Sequence, residues 1–336
     1  MSAPMTLLLR ASLLLAGTLL GVLAVAGLCL LLWLRCASWR ALAAPGRALG
    51  WLVGSVFAVR RKHVLRSLRA AGISPCERIA DGMYALLGRG LLELVWVALH
   101  PKSPLSELVQ LDTSVLRQVQ RRGRGAVLAT AHTGNWDLVA CAVAAELPLV
   151  VITKRLSISW LDRAWQGLRS RRGIQLVQAG HAARRAVRAL RRGLPVAMLI
   201  DQAPERTRAT AVCEFLGRPA QVDLAPALVA MRARVPVVVV WPRRRPDGIH
   251  VAEVVALLEP PPRPSRDWAQ QASCRMTELL DHFVRKHPEQ WLWMHRRWKG
   301  IGAQPLCYGG RRSSTDWPSL SDSTRATVDH SSSSVL

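Results

Sequence analysis

His132 and Asp137 are the two side chains whose types and spacing best suit acid–base chemistry. They stand in Thr130-Ala131-His132-Thr133-Gly134-Asn135-Trp136-Asp137, after an apolar β-type run that starts at Ala126 and before Leu138 to Ala145, which suits a buried helix. On one continuous helix, positions five apart lie about 140° apart around the axis and cannot meet. The small polar cluster His132 to Asn135 instead breaks one element and starts the next, and across such a turn a carboxylate can reach the ring. A carboxylate on one imidazole nitrogen fixes the tautomer and stabilises the cation formed when the other nitrogen takes a proton, which is what a base needs to activate a hydroxyl. The N–H groups that open the helix near Asn135 add a positive fringe suited to phosphate or a developing oxyanion. The spacing equally allows a histidine packed at a helix start and an aspartate on its solvent face.

The elements around this stretch alternate. Leu149 to Thr153, Ile174 to Val177, Pro195 to Ile200, Val235 to Trp241 and Ile249 to Val255 read as strands, with helices over Ser159 to Arg172, His181 to Arg192 and Trp268 to Lys286. That pattern predicts an α/β fold with a mixed sheet mostly covered by flanking helices. Polar residues just past the carboxyl ends of strands are the first place to seek a site in such folds. Three places qualify: His132 to Asp137, Lys154-Arg155 and Asp201-Gln202. Together they put a base, cations and a carboxylate at one edge of one sheet.

Upstream, Ala41 to Gly72 reads as helical with a basic stripe through Arg60, Arg61, Arg66 and Arg69, suited either to solvent or to anionic lipid headgroups. Glu77 to Leu99 reads as a long apolar helix interrupted at Gly88-Arg89-Gly90, and Leu105 to Arg122 as an amphipathic helix ending at Gly123. Ala11 to Leu34 is an uncharged run of 24 residues. As a helix it is about 36 Å long, enough to cross a hydrocarbon core of roughly 30 Å, and it is longer than a signal-peptide core. The cations cluster on its C-terminal side, which predicts one transmembrane helix with the bulk of the chain in the cytoplasm. The domains expected are an anchor over 1–40, a catalytic domain over 41–302 and a disordered Ser- and Thr-rich tail over 303–336.

The chain has 46 Lys and Arg against 22 Asp and Glu, a formal +24, which calls for an anionic partner, either a phosphate-rich membrane surface or nucleic acid. The arginines of 184–192 could track phosphates, but no aromatic residues interleave with them and no recognition motif is present, so nucleic acid is not expected. Seven cysteines form no close pair, which argues against a disulfide framework and against zinc, and no metal is expected.

Several stretches together resemble the bacterial lipid A biosynthesis acyltransferases, the lauroyl and myristoyl transferases of the lysophospholipid acyltransferase-like group. They are Thr130 to Leu138, Asp201-Gln202, Phe215-Leu216-Gly217-Arg218-Pro219-Ala220 and Pro288-Glu289-Gln290-Trp291-Leu292-Trp293-Met294-His295-Arg296-Arg297-Trp298-Lys299. The resemblance runs from the N-terminal anchor to Lys299. It implies a glycerolipid acyltransferase-like fold at the cell inner membrane. The reaction implied is transfer of a fatty acyl chain from an acyl carrier protein thioester, or acyl-CoA, to a hydroxyl of an anionic glycolipid, without a cofactor. It also implies His132 as base and Asp137 as its acidic partner in a His-x-x-x-x-acid motif. Asn135, Arg155, Arg169, Asp201 and Gln202 are implied to bind substrate. Asp137 stands where the family more often has glutamate, and Gln221 to Pro226 departs from the family's Thr- and Pro-rich turn. The acceptor therefore stays open between a lipid A precursor, another glycolipid such as an acylated mannoside, and an aminolipid. A glycerol-phosphate acyltransferase is the neighbouring alternative, since Pro204-Glu205-Arg206-Thr207-Arg208 is similar to that group's phosphate loop, with Arg206 in place of its glycine.

Overall fold

The computed structural model describes residues 3–178, 182–205 and 209–299. The Ser-rich tail, His181 and the Arg206-Thr207-Arg208 loop lie outside the described residues. The helices are α1 (Ala3–Cys36), α2 (Ala43–Trp51), α3 (Arg61–Ala70), α4 (Cys76–Leu99), α5 (Ser114–Arg121), α6 (Trp136–Glu146), α7 (Ser159–Arg171), α8 (Ala182–Arg191), α9 (Ala225–Ala233) and α10 (Arg266–Lys286). The strands are β1 (Val109–Leu111), β2 (Val127–Thr130), β3 (Leu149–Thr153), β4 (Ile174–Gln178), β5 (Val196–Leu199), β6 (Thr210–Phe215), β7 (Arg218–Asp223), β8 (Val237–Arg244) and β9 (His250–Leu258).

Seven strands form one sheet in the order β1-β9-β8-β2-β5-β3-β4, and β6-β7 form a separate antiparallel pair. Within the large sheet every neighbouring pair is parallel except β8 and β9. Side chains alternate across it, as a strand's period of two requires. Val127, Ala129, Val196, Val237 and Val239 face a core completed by α8, α9 and α10, whereas Leu128, Leu149 and Val238 face one completed by α5 and α6. Both faces are covered, which is why these strands read as continuous apolar runs. Helix α4 joins the two cores, giving Met83 and Tyr84 to the first and Leu94 and Trp96 to the second.

Three expected elements differ, and the structure adds a hairpin and a helix that the sequence did not predict. The stretch 41–72 is not one helix. A 3-10 turn (Trp39–Leu42), α2 and a π turn (Leu52–Val56) run on, and the chain then bends by 88° before α3. Helix α4 runs unbroken through Gly88 and Gly90, and Gly88 serves close approach rather than a turn. A Cβ on Gly88 would lie 2.4 Å from the Gly46 carbonyl oxygen, and one on Gly50 would lie 2.2 Å from that of Tyr84. The expected helix 105–122 contains a 3-10 turn, β1 and only then α5. The hairpin β6-β7 and α9 carry no strong sequence signal. The hairpin turns on Leu216 and Gly217, both at positive φ, where Leu replaces the usual Asn or Asp.

Cys213 on β6 and Cys274 on α10 form a disulfide with their Cα atoms 5.4 Å apart. This corrects the expectation from cysteine spacing. The two are 61 residues apart and only the packing of the hairpin on α10 brings them together.

Candidate active site

Strands β2, β5 and β3 are adjacent and parallel, so the residues after their carboxyl ends share one edge of the sheet. His132 follows β2, Asp201-Gln202 follow β5 and Lys154-Arg155 follow β3, as the alternation of elements anticipates.

The group that holds His132 is Asp201. His132 Nδ1 donates to Asp201 Oδ1 at 2.9 Å, and the His132 backbone N–H donates to Oδ2 at 3.2 Å. Trp291 Nε1 also donates to Oδ2, at 3.0 Å. Asp201 is completely buried. Burial alone would raise its carboxyl, but His132, His295 and the Trp291 donor outweigh that and hold it well below the usual carboxylate range. With a carboxylate on Nδ1, the free lone pair of His132 is on Nε2. That nitrogen faces Gln202, whose Nε2 lies 3.5 Å away and reaches on to His295 Nε2 at 3.2 Å. Burial, with the nearby His132, drives His295 down to about 4 and keeps it neutral.

The back of the site is a strip of chain from the C-terminal end of the fold. Thr133 bridges Trp291, Gly134 N donates to Gln290 O at 2.9 Å, and Leu292 N donates to His132 O at 3.0 Å. Gly134 has φ +52, and a Cβ there would lie 2.9 Å from both Arg243 Cα and Pro242 O. Only glycine lets the turn pass so close to β8.

The expected His132–Asp137 hydrogen bond is replaced by two separate pairs. Asp137 is buried and takes Arg169, with Nε at 2.7 Å and Nη2 at 2.5 Å from the same oxygen. Burial pushes the Asp137 carboxyl up, against the pull of Arg169, His132 and Trp136. The fold explains the exchange. Asp137 is in the first turn of α6 and faces α7, whereas Asp201 leaves the neighbouring strand directly beside His132. Arg169 Nη1 also donates to Thr153 Oγ1 at 3.1 Å and to Gln166 Oε1 at 3.3 Å, so every nitrogen of the guanidinium has a partner within the protein.

Asn135 is likewise engaged within the protein. Its Oδ1 accepts from Leu138 N and caps α6, and its Nδ2 donates to Gly90 O at 3.2 Å and Glu93 Oε2 at 3.1 Å, which uses its oxygen and both amide hydrogens. Glu93 heads a buried cluster that the sequence reading missed. Arg244 grips both its oxygens, at 2.5 and 2.6 Å, and His250 Nε2 lies 3.0 Å away. Burial acts to raise Glu93, and His250 and Arg244 overcome it, leaving the carboxyl far below its ordinary value. This cluster ties α4, β8 and β9 to the start of α6, beneath the site. A lone acid in Leu91-Leu92-Glu93-Leu94 was the available signal.

Arg155 and Gln202 are exposed at the rim, and Lys154 pairs there with Glu205. Among the described residues no group of three or more His, Cys, Asp or Glu is arranged to hold a metal ion.

A buried carboxylate that fixes one imidazole nitrogen and leaves the other facing a polar rim equips this α/β fold for general acid–base chemistry. The sequence comparisons narrow the class. Residues 17–300 match the family described as Bacterial lipid A biosynthesis acyltransferase, and the chain belongs to that family and is an acyltransferase. It is similar to the Lipid A biosynthesis lauroyltransferase of Escherichia coli (strain K12), 24% identical over 217 residues that cover 63% of this chain and 69% of the relative.

Proposed function

We propose that the protein transfers a fatty acyl chain from an acyl carrier protein thioester to a hydroxyl of a lipid A precursor or a closely related anionic glycolipid. The observation that carries this reading is the Asp201-held imidazole at the carboxyl edge of the sheet, in a chain of this family. His132 Nε2 takes the proton of the acceptor hydroxyl while Asp201 stabilises the imidazolium. The freed oxygen attacks the thioester carbonyl. The tetrahedral intermediate collapses with loss of the carrier thiolate, which takes the proton back from His132. Gln202, exposed beside Nε2, supplies a donor to the oxyanion, a contribution commonly worth roughly 3 to 4 kcal/mol. Asp137 and Arg169 form the wall beside the base, and Arg155 meets acceptor phosphate at the rim. No cofactor takes part.

Helix α1 holds the enzyme at the cell inner membrane as a single span, with the catalytic domain cytoplasmic. Its described side chains support this: Val22, Val25, Leu28, Leu31, Leu32 and Trp33 are all exposed. The test is His132→Ala in purified, folded enzyme with acyl carrier protein donor and lipid A precursor. Loss of transfer is expected, and retention of most activity rejects the base. Mass spectrometry of total lipids with and without the gene identifies the acceptor and chain.

A further inference from the structure

The bend between α2 and α3 presents five large apolar side chains to solvent within nine residues. Trp51 is 62% exposed, Leu52 37%, Val56 51%, Phe57 67% and Val59 41%. This follows from how the opposite side of the same helix packs. Gly46, Gly50 and Gly54 are buried against α4 so closely that a Cβ on any of them would meet it at 2.2 to 2.5 Å. The glycine side must therefore face α4, which turns the apolar ridge outward.

The corner is also braced. Tyr84 Oη donates to Val59 O, Val59 N donates to Val53 O at 3.0 Å, and Arg60 Nη1 donates to Met294 O at 2.7 Å. It is a fixed protrusion. Cations surround it: Arg60, Lys62 and Arg66 are exposed, whereas Arg61 is already neutralised by Asp81 at 2.7 Å. Apolar side chains projecting from a ring of unneutralised cations complement an anionic lipid surface. Helix α1 likewise packs on α4 and leaves apolar side chains from Val22 to Trp33 exposed.

We propose that Trp51 to Val59 is a second membrane contact, inserted into a leaflet of anionic phospholipid, that sets the height of the catalytic imidazole above the headgroups. The linkage is short. Arg60 holds Met294, His63 Nε2 lies 2.9 Å from His295 O, and His295 reaches His132 through Gln202. The insertion itself rests on the surface alone. Its consequence for the acceptor rests on the reading of His132 as the base.

The test uses the full chain with Cys29→Ser, Cys36→Ser, Cys76→Ser and Cys307→Ser, an environment-sensitive fluorophore at Phe57→Cys, and a control label at Arg184→Cys on α8. In vesicles of phosphatidylethanolamine and phosphatidylglycerol, the corner label should shift to the blue and be quenched by lipid brominated in its acyl chains, and the control should not. A corner label that remains aqueous overturns the proposal. So does one that becomes shielded without vesicles as protein concentration rises, which marks a second copy as the occupant. Unlabelled Phe57→Ser should raise the KM for acceptor in vesicles about tenfold while kcat changes less than twofold. An unchanged KM removes the link to the site. Full activity of His132→Ala would instead overturn the base and leave the label result standing.

Discussion

Replacing Asp201 by asparagine separates the two acidic residues around His132. Asp201 accepts three hydrogen bonds, from His132 Nδ1 at 2.9 Å, His132 N at 3.2 Å and Trp291 Nε1 at 3.0 Å. Asparagine offers one acceptor oxygen and an amide that donates. The backbone N–H and the indole can satisfy that oxygen, which leaves the amide hydrogens against Nδ1. His132 then moves its proton to Nε2 and loses the lone pair that faces the acceptor. In Ser-His-Asp enzymes the same exchange costs roughly 10⁴ in kcat with the geometry preserved, and a loss of about 10³ to 10⁴ is expected here. Asp137→Asn leaves the His132–Asp201 bond in place. Its damage falls on Arg169, a cation with 11% side-chain exposure that loses its carboxylate, at about 3 to 5 kcal/mol of stability. The assay is single-turnover transfer of radiolabelled acyl chain by the two variants, with thermal unfolding in parallel and 15N chemical shifts of His132 to read the tautomer. The reasoning fails if Asp137→Asn, still folded, loses as much kcat as Asp201→Asn, or if Asp201→Asn keeps more than a tenth of the activity.

Glu93→Gln should destabilise the domain by about 3 to 5 kcal/mol, because it leaves the buried Arg244 without a counter-charge, and thermal denaturation measures it. Acidification should destabilise the fold from about pH 6.5 downward. Burial lowers His250 and His295, the latter to about 4, so the unfolded chain takes up protons that the folded chain refuses, with at most about 3 kcal/mol from His295. Asp201 and Glu93, held below their ordinary values, add loss at lower pH as they are protonated, and Asp137, raised by burial, works the other way. Urea midpoints across this range check the sign, and a midpoint constant or rising on acidification would refute it. Alkylation of protein taken directly from cells tests the compartment. The fold sets Cys213 and Cys274 close enough to bond, so their state in the cell reads the redox poise around them: a reducing cytoplasm should yield both as thiols, and recovery of the disulfide would overturn the cytoplasmic placement proposed above.

The strand-and-helix alternation made the edge of the sheet legible, because the apolar runs before His132, Lys154 and Asp201 become neighbouring strands. Which acid meets His132 was not legible. Chain spacing favoured Asp137, five residues on, and the strand order that brings Asp201 alongside is a long-range property. Glu93 was readable as an acid that needed a buried cation, though nothing local pointed to Arg244. The hairpin at Leu216-Gly217 lacks the residues that usually mark such a turn. The close helix crossing was written in Gly46, Gly50 and Gly54, a four-residue spacing whose meaning depends on which helix lies opposite.

The strip from Gln290 to His295 is made only after every strand of the sheet has been translated, yet it supplies the indole that steadies Asp201 and the carbonyl braced by Arg60. Synthesis therefore runs ahead of competence. By the time this last strut is translated, α1 to α10 and β1 to β9 are already made. Until then Asp201 lacks its indole donor, and the pair it makes with His132 is incomplete.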